Sequence, residues 1–147
     1  MADFYASEFQ GVIDKTYIPN DRADARVTGY RPRGMRASKP VGQALAVGDR
    51  LYIGRKRQGE TVGLIFVTAG LALGTTTISV GTTAAPTRYV NGKTTAIVDQ
   101  PVPIGPDAGS SENDPDNAYD DLWATINVAG IAAGTNIVFE TIIRGLN

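Results

Sequence analysis

Ala69-Gly70-Leu71-Ala72-Leu73-Gly74-Thr75 lies between two runs of β character. Before it stands Val62-Gly63-Leu64-Ile65-Phe66-Val67-Thr68, which is apolar almost throughout. After it stands Thr76-Thr77-Ile78-Ser79-Val80-Gly81, which alternates. The pattern returns near the end of the chain as Ala129-Gly130-Ile131-Ala132-Ala133-Gly134-Thr135, followed by Asn136-Ile137-Val138-Phe139-Glu140-Thr141-Ile142-Ile143. A glycine-rich break between β-branched runs is turn chemistry, because glycine reaches backbone conformations that other residues resist. Both copies are therefore expected to be hairpin turns at the ends of paired strands in one β-sandwich. Two copies make an echo within one domain, since a solenoid needs three or more. Gly70-x-x-x-Gly74 also resembles part of a phosphate loop, but no Gly-Lys-Ser/Thr follows and both flanks are β.

Outward from these turns the text from residue 41 stays β. Gln43–Ala46 is a short candidate strand before a turn at Val47-Gly48-Asp49. Arg50–Gly54 alternates, with Leu51 and Ile53 on one face. Arg55-Lys56-Arg57-Gln58-Gly59-Glu60 is a charged turn, Thr61–Thr68 a core strand, and Thr75–Gly81 a strand with Ile78 and Val80 facing in. Pro86 makes Thr82–Asn91 a loop or short edge segment. Asn91-Gly92 is a favoured tight-turn pair, which places the next strand at Lys93–Val98. Gln100–Pro106 holds too much proline for an interior strand. Tyr119–Val128 reads as a strand with Leu122, Ala124, Ile126 and Val128 on one face and Trp123 on the other. Ile137–Ile143 closes the chain. Seven or eight short strands with glycine-rich turns imply a sandwich or small barrel. The expected fold is all-β: a single jelly-roll-like β-sandwich over 41–147 with an extended N-terminal arm over 1–40.

The arm reads differently. Phe4, Tyr5, Phe9 and Tyr17 come early, and the run from Ile18 to Pro40 holds three prolines and two glycines, which rules out a long helix. One or two short strands are expected in it, with Val12–Tyr17 as the candidate. With too few apolar residues to pack alone, the arm is expected to lie on the sandwich, on another copy or on a partner. Charge follows the same division. Residues 1–59 hold 11 Lys/Arg and 6 Asp/Glu, whereas residues 60–147 hold 3 and 9, so a front half of +5 faces a back half of −6. The basic residues are not interleaved with aromatics as single-strand binders require, so nucleic acid is not an expected partner. Arginine forms bidentate contacts with carboxylates, so Arg22, Arg26, Arg31, Arg33, Arg36 and Lys39 are the candidate partner-binding residues.

Composition excludes much chemistry. The 147 residues include no cysteine and no histidine, which removes disulfides, thiolate nucleophiles, histidine triads and ordinary zinc ligation. The acidic stretch with Glu112, Asp114, Asp116, Asp120 and Asp121 offers hard oxygen ligands, but its spacing departs from the EF-hand pattern and Pro115 occupies the turn. It is expected to be a solvated loop rather than a calcium site or a carboxylate pair for glycoside hydrolysis. No catalytic residue, metal or cofactor is expected. The chain start has no basic-then-apolar leader, and no run approaches the ~20 apolar residues of a membrane span.

Ala46-Val47-Gly48-Asp49-Arg50-Leu51-Tyr52-Ile53-Gly54, a turn containing Gly59, the Thr61–Thr68 run and Leu71–Thr82 together resemble small virion structural proteins of tailed bacteriophages, of the decoration (cement) type. Leu122–Ile143 matches the closing strand, Ala-Gly turn, strand order of that group. The resemblance covers about residues 41–147 and rests on turn chemistry. It implies a β-sandwich on the outer capsid surface, made in the host cytoplasm. It also implies the major capsid protein as partner and a homo-oligomer, a trimer above others, with no nucleic acid or membrane partner. A second reading is a glycan- or receptor-binding module of a virion fibre or tail, with Tyr119 and Trp123 as its aromatic contacts.

Overall fold

The computed structural model describes residues 30–109 and 119–146. Eight strands occur among them: β1 (Tyr30–Ser38), β2 (Arg50–Lys56), β3 (Glu60–Ala69), β4 (Thr77–Gly81), β5 (Val90–Lys93), β6 (Val102–Gly105), β7 (Asp120–Asn127) and β8 (Ile137–Leu146). They form two four-stranded antiparallel sheets, ordered β1-β8-β3-β6 and β2-β7-β4-β5. The result is a β-sandwich.

Alternation places the core. In β7, Leu122, Ala124 and Ile126 are fully buried, while Asp121, Trp123, Thr125 and Asn127 lie on the other face. Across the interior stand Ile137, Phe139 and Ile143 of β8 and Val62, Ile65, Val67 and Ala69 of β3. Each such side chain contributes roughly 1.5–3 kcal/mol by leaving water. β3 is apolar on both parities in sequence, yet Leu64 on its outer face is exposed. Val62 and Ile65 are three residues apart and both buried, which strict alternation forbids. A bulge between Val62 and Leu64 against β8 restores the phase. Ile78 and Val80 of β4 face in as their alternation requires.

The two glycine-rich stretches are not hairpin turns. β3 and β4 lie in different sheets, as do β7 and β8. Each stretch therefore carries the chain across the ~10 Å between sheets. Because β3 pairs with β8 and β4 with β7, the two arches run side by side at one end. Gly70 N–H donates to the Asn136 carbonyl at 2.8 Å, and the Thr76 hydroxyl to the Gly130 carbonyl at 3.3 Å. Their glycines have separate duties. Gly74 and Gly134 take φ of 61° and 87°. Gly130 instead permits close approach: a Cβ there would sit 2.7 Å from the Leu45 carbonyl oxygen. The echo also slips in register. Thr76 N–H closes a turn on the Leu73 carbonyl, whereas Thr135 N–H closes one on Ala132, one position earlier in the motif. Correspondingly Leu73 is the buried apolar residue of the first arch and Ile131 that of the second.

Other expectations move as well. Lys93–Val98 is not a strand. β5 is Val90–Lys93 and contains Asn91-Gly92, with Gly92 at φ 63° donating its N–H to the Ser79 hydroxyl at 3.1 Å. The segment after Lys93 is held by a neighbouring arch, as Leu73 N–H donates to the Thr95 carbonyl at 3.0 Å. Gln43–Ala46 reduces to one bridge, Leu45 with Ile131. The proline-rich Gln100–Pro106 does supply a strand, β6, at the sheet edge. Val128 does not share the inner face of β7. It is 70% exposed at φ 69°, because the backbone leaves the strand after Asn127.

The stretch read as an arm contributes to the sandwich. Residues 30–38 are β1, paired along their whole length with β8 from Tyr30↔Leu146 to Ser38↔Val138. The strand expected at Val12–Tyr17 lies outside the described residues.

Candidate functional site

Of the six basic residues read from the sequence, the three whose side chains are described, Arg33, Arg36 and Lys39, do not form one cluster. Arg22 and Arg26 lie outside the described residues. Arg31 is in β1, its backbone opposite Gly145. Arg33 turns inward on its own chain. Its Nε donates to Glu60 Oε1 at 3.2 Å and a terminal nitrogen to Glu60 Oε2 at 2.7 Å, and that nitrogen also reaches the Arg55 carbonyl at 2.7 Å. One side chain therefore ties β1 to the start of β3 and the end of β2. Burial opposes ionisation of Glu60. The hydrogen bonds from Arg33 and from the Arg57 N–H, with the charges of both arginines, outweigh it and hold the carboxyl below its ordinary range.

Lys39 is 3% exposed, and its ammonium donates to the carbonyls of Pro40 and Gln43. A buried lysine is stable only when its donors are satisfied. Here they staple the end of β1 to the connection beyond it. Arg36 is exposed on the outer face of β1, opposite Glu140 of β8. The structure thus assigns Arg33 and Lys39 to holding the strand and leaves Arg36 outward-facing.

Trp123 lies on the outer face of β7, as its parity requires. Tyr119 is exposed, but the residue beside Trp123 is Tyr52, directly across the β2–β7 ladder. The Tyr52 and Trp123 rings meet edge to face at 5.3 Å, and the Arg50 guanidinium lies 4.8 Å from the Trp123 centroid. Tyr52 could have been found from its parity, opposite to Leu51 and Ile53. Its pairing with Trp123 is a cross-strand fact that no local spacing encodes. Nearby, Arg55 and Asp121 pair at 2.7 Å. The Arg55 hydrogen bond holds the Asp121 carboxyl below its usual range.

Of the acidic stretch, Glu112, Asp114 and Asp116 lie outside the described residues. Asp121 is committed to Arg55, and Asp120 stands opposite Lys56 in the ladder. Among the described residues no three acidic side chains gather to hold an ion.

The connections sort by end. The β1–β2, β3–β4, β5–β6 and β7–β8 connections all cross between sheets at one end of the sandwich. Backbone hydrogen bonds join neighbours: Leu45 with Ile131, Gly70 with Asn136, Leu73 with Thr95, and Asp99 with Ala69. The β2–β3 turn and the 82–89 loop occupy the other end, where β6 ends and β1 and β7 begin.

No protein family matches the sequence, and no curated protein sequence matches it. Solved structures do. A chain in the capsid of Ralstonia phage GP4 superposes with a TM-score of 0.64 at 14% identity, covering 80% of this chain and 86% of that one. A chain in the cyanophage Pam1 capsid asymmetric unit gives 0.54 at 12% identity, covering 81% and 87%. The chain shares its fold with chains of two phage capsids. At these identities the likeness is one of fold. It covers about four fifths of the chain, so the agreement extends beyond a single sheet or hairpin.

Proposed function

We propose that this protein is a virion structural protein of decoration type, which binds the outside of an assembled shell of major capsid protein and stabilises it. The observation that carries this reading is the shared sandwich in two phage capsid structures, joined to arginines before and along its first strand, Arg22, Arg26, Arg31 and Arg36. The strand orders β1-β8-β3-β6 and β2-β7-β4-β5, wound by sheet-crossing arches, support a jelly roll. No histidine or cysteine is present to support hydrolytic chemistry, which favours a non-enzymatic role.

The mechanism is mass action. A ligand that binds the assembled shell and not its free subunits stabilises the assembly. Presentation as a trimer would add avidity without a strong single contact. The arm carries the attachment, with Arg22, Arg26, Arg31 and Arg36 as its contacts to capsid carboxylates, because Arg33 and Lys39 serve the fold. A glycan-binding module is the weaker reading, since the Trp123 ring is engaged by Tyr52 and Arg50 of the same chain.

The test is truncation at two points. Removal of residues 1–29 leaves all eight strands but takes Arg22 and Arg26 with it, and is expected to give a folded protein that decorates shells at clearly reduced occupancy in a co-sedimentation assay. Removal of residues 1–38 strips β1 from β8 and is expected to compromise folding itself. Full occupancy of shells by the shorter truncation would refute attachment through the arm.

A further inference from the structure

The arch end of the sandwich is apolar and almost uncharged. Across the four connections, residues 39–49, 70–76, 94–101 and 128–136, only Lys39, Asp49 and Asp99 carry charge; the Lys39 ammonium is buried on the Pro40 and Gln43 carbonyls, and Asp49 Oδ2 already accepts the Ala46 N–H at 2.7 Å. Nine large apolar or aromatic side chains stand exposed among the described residues. Six of them are here: Val41, Val47, Leu71, Ile97, Val98 and Val128. They project from four connections that hydrogen bonds hold in one continuous strip. Leu71 borders a recess of about 200 Å³ whose walls include Leu73, Ile131 and Ala132.

Strain marks the same end. The two non-glycine residues at positive φ among the described residues are Asp99 at 56° and Val128 at 69°. A β-branched residue in this conformation is a genuine outlier, and such outliers persist where the surrounding structure or a partner demands them. At Val128 the strain holds an isopropyl group out in water.

We infer that this apolar crown is a self-association surface, buried against the crown of another copy of the chain about a symmetry axis. Three observations select that occupant. First, the crown connections expose no cation, Lys39 being buried, and carry little negative charge, so two copies can meet without like-charge repulsion, as a self-complementary contact requires. The charged opposite end does not satisfy this. Second, six exposed aliphatic side chains make a patch on the order of several hundred Å², the size that marks an interaction site. Doubled across an axis it approaches the ~1,000 Å² of a specific interface. Third, no described strand or connection covers it. β1 begins, β8 ends and the acidic connection emerges at the far end, one strand length or about 30 Å away. The inference stands whether or not the protein attaches to a shell.

The experiment is sedimentation velocity with light scattering on the full chain across a dilution series. The expected mass is a multiple of 15.5 kDa. Leu71→Glu and, separately, Val47→Glu are expected to abolish the oligomer while far-UV circular dichroism stays unchanged. Both side chains are exposed, and each substitution appears at least twice across the axis. Leu64→Glu, on the outer face of β3, is the control expected to keep the oligomer. A wild-type monomer at every concentration overturns the inference. So does an oligomer that survives both crown variants, or one lost through Leu64→Glu alone. A monomer that associates only when residues 2–18 are removed would assign the crown to the chain's own N-terminal segment, and also overturns it.

Discussion

Replacing Arg33 with alanine tests how the first strand is fastened. The guanidinium makes two hydrogen bonds to Glu60 and one to the Arg55 carbonyl. Side-chain exposures of 32% for Arg33 and 13% for Glu60 put the pair between a surface bridge and a buried one. Exposed pairs contribute under about 1 kcal/mol, and hydrogen bonds to charged groups up to about 3. Solvent screening on the arginine side pulls the value down. So does the Arg57 N–H, which also donates to Glu60 at 2.7 Å and is not removed by the substitution. The expected loss is about 1–2 kcal/mol, or roughly 3–6 °C in melting temperature for a domain of this size. The loss has a pH signature. Glu60 titrates below its unfolded value of about 4.3. Its contribution is therefore present above that pH and disappears as pH falls through the folded value. Thermal melts of wild type, Arg33→Ala, Glu60→Gln and the double variant from pH 7 downward give a complete cycle. The expected outcome is a clear coupling at pH 7 that falls away only below the ordinary carboxylate range. Equal melting temperatures for wild type and Arg33→Ala at pH 7, or a coupling already lost above the unfolded value, would refute this account of the β1 anchor.

The paired arches make a further comparison possible. Gly134→Ala places a Cβ at φ 87° and is expected to cost about 1–2 kcal/mol through backbone strain alone. Gly130→Ala puts a Cβ 2.7 Å from the Leu45 carbonyl, and overpacking of this kind typically costs about 1–3 kcal/mol. Urea denaturation should separate the two. Only Gly130→Ala should also speed hydrogen exchange at Leu45, whose N–H bonds the Ile131 carbonyl at 2.9 Å. In the core, the Thr141 hydroxyl is buried with no hydrogen-bond partner. Thr141→Val should therefore stabilise the protein by about 1 kcal/mol, read as a higher urea midpoint at unchanged slope. A lower midpoint would show that the hydroxyl is satisfied in solution.

Several elements were legible because their signal is local. The alternation of Leu122, Ala124 and Ile126 depends on the period-two geometry of a strand and survives into the structure unchanged. The glycines at 74 and 134 announce positive φ, which is a property of the residue itself. The lack of histidine and cysteine removes whole reaction classes before any fold is known. The candidate partner residues were less legible. Arg33 and Arg36 look alike in sequence, and only the approach of Glu60, 27 residues away, commits one of them to the fold. Lys39 reads as an exposed cation until the carbonyls of Pro40 and Gln43 enclose it. Asn91-Gly92 carries a turn signature, yet it pairs in β5 because Ser79 on the adjacent strand accepts the Gly92 N–H.

The sequence by itself determined that this is an all-β chain with glycine-rich breaks at two matching places, since periodicity and backbone preference are written residue by residue. Tertiary structure alone decided what those breaks connect. A turn residue specifies φ at one position and says nothing about which sheet receives the next strand. That choice depends on long-range pairing, β3 with β8 and β4 with β7, which sends both Ala-Gly stretches across the sandwich as neighbouring arches. The same pairing gathers Val41, Leu71, Ile97 and Val128 from four separate stretches of chain into one apolar end. No local pattern could have shown that these side chains are neighbours, because their proximity is a product of the winding.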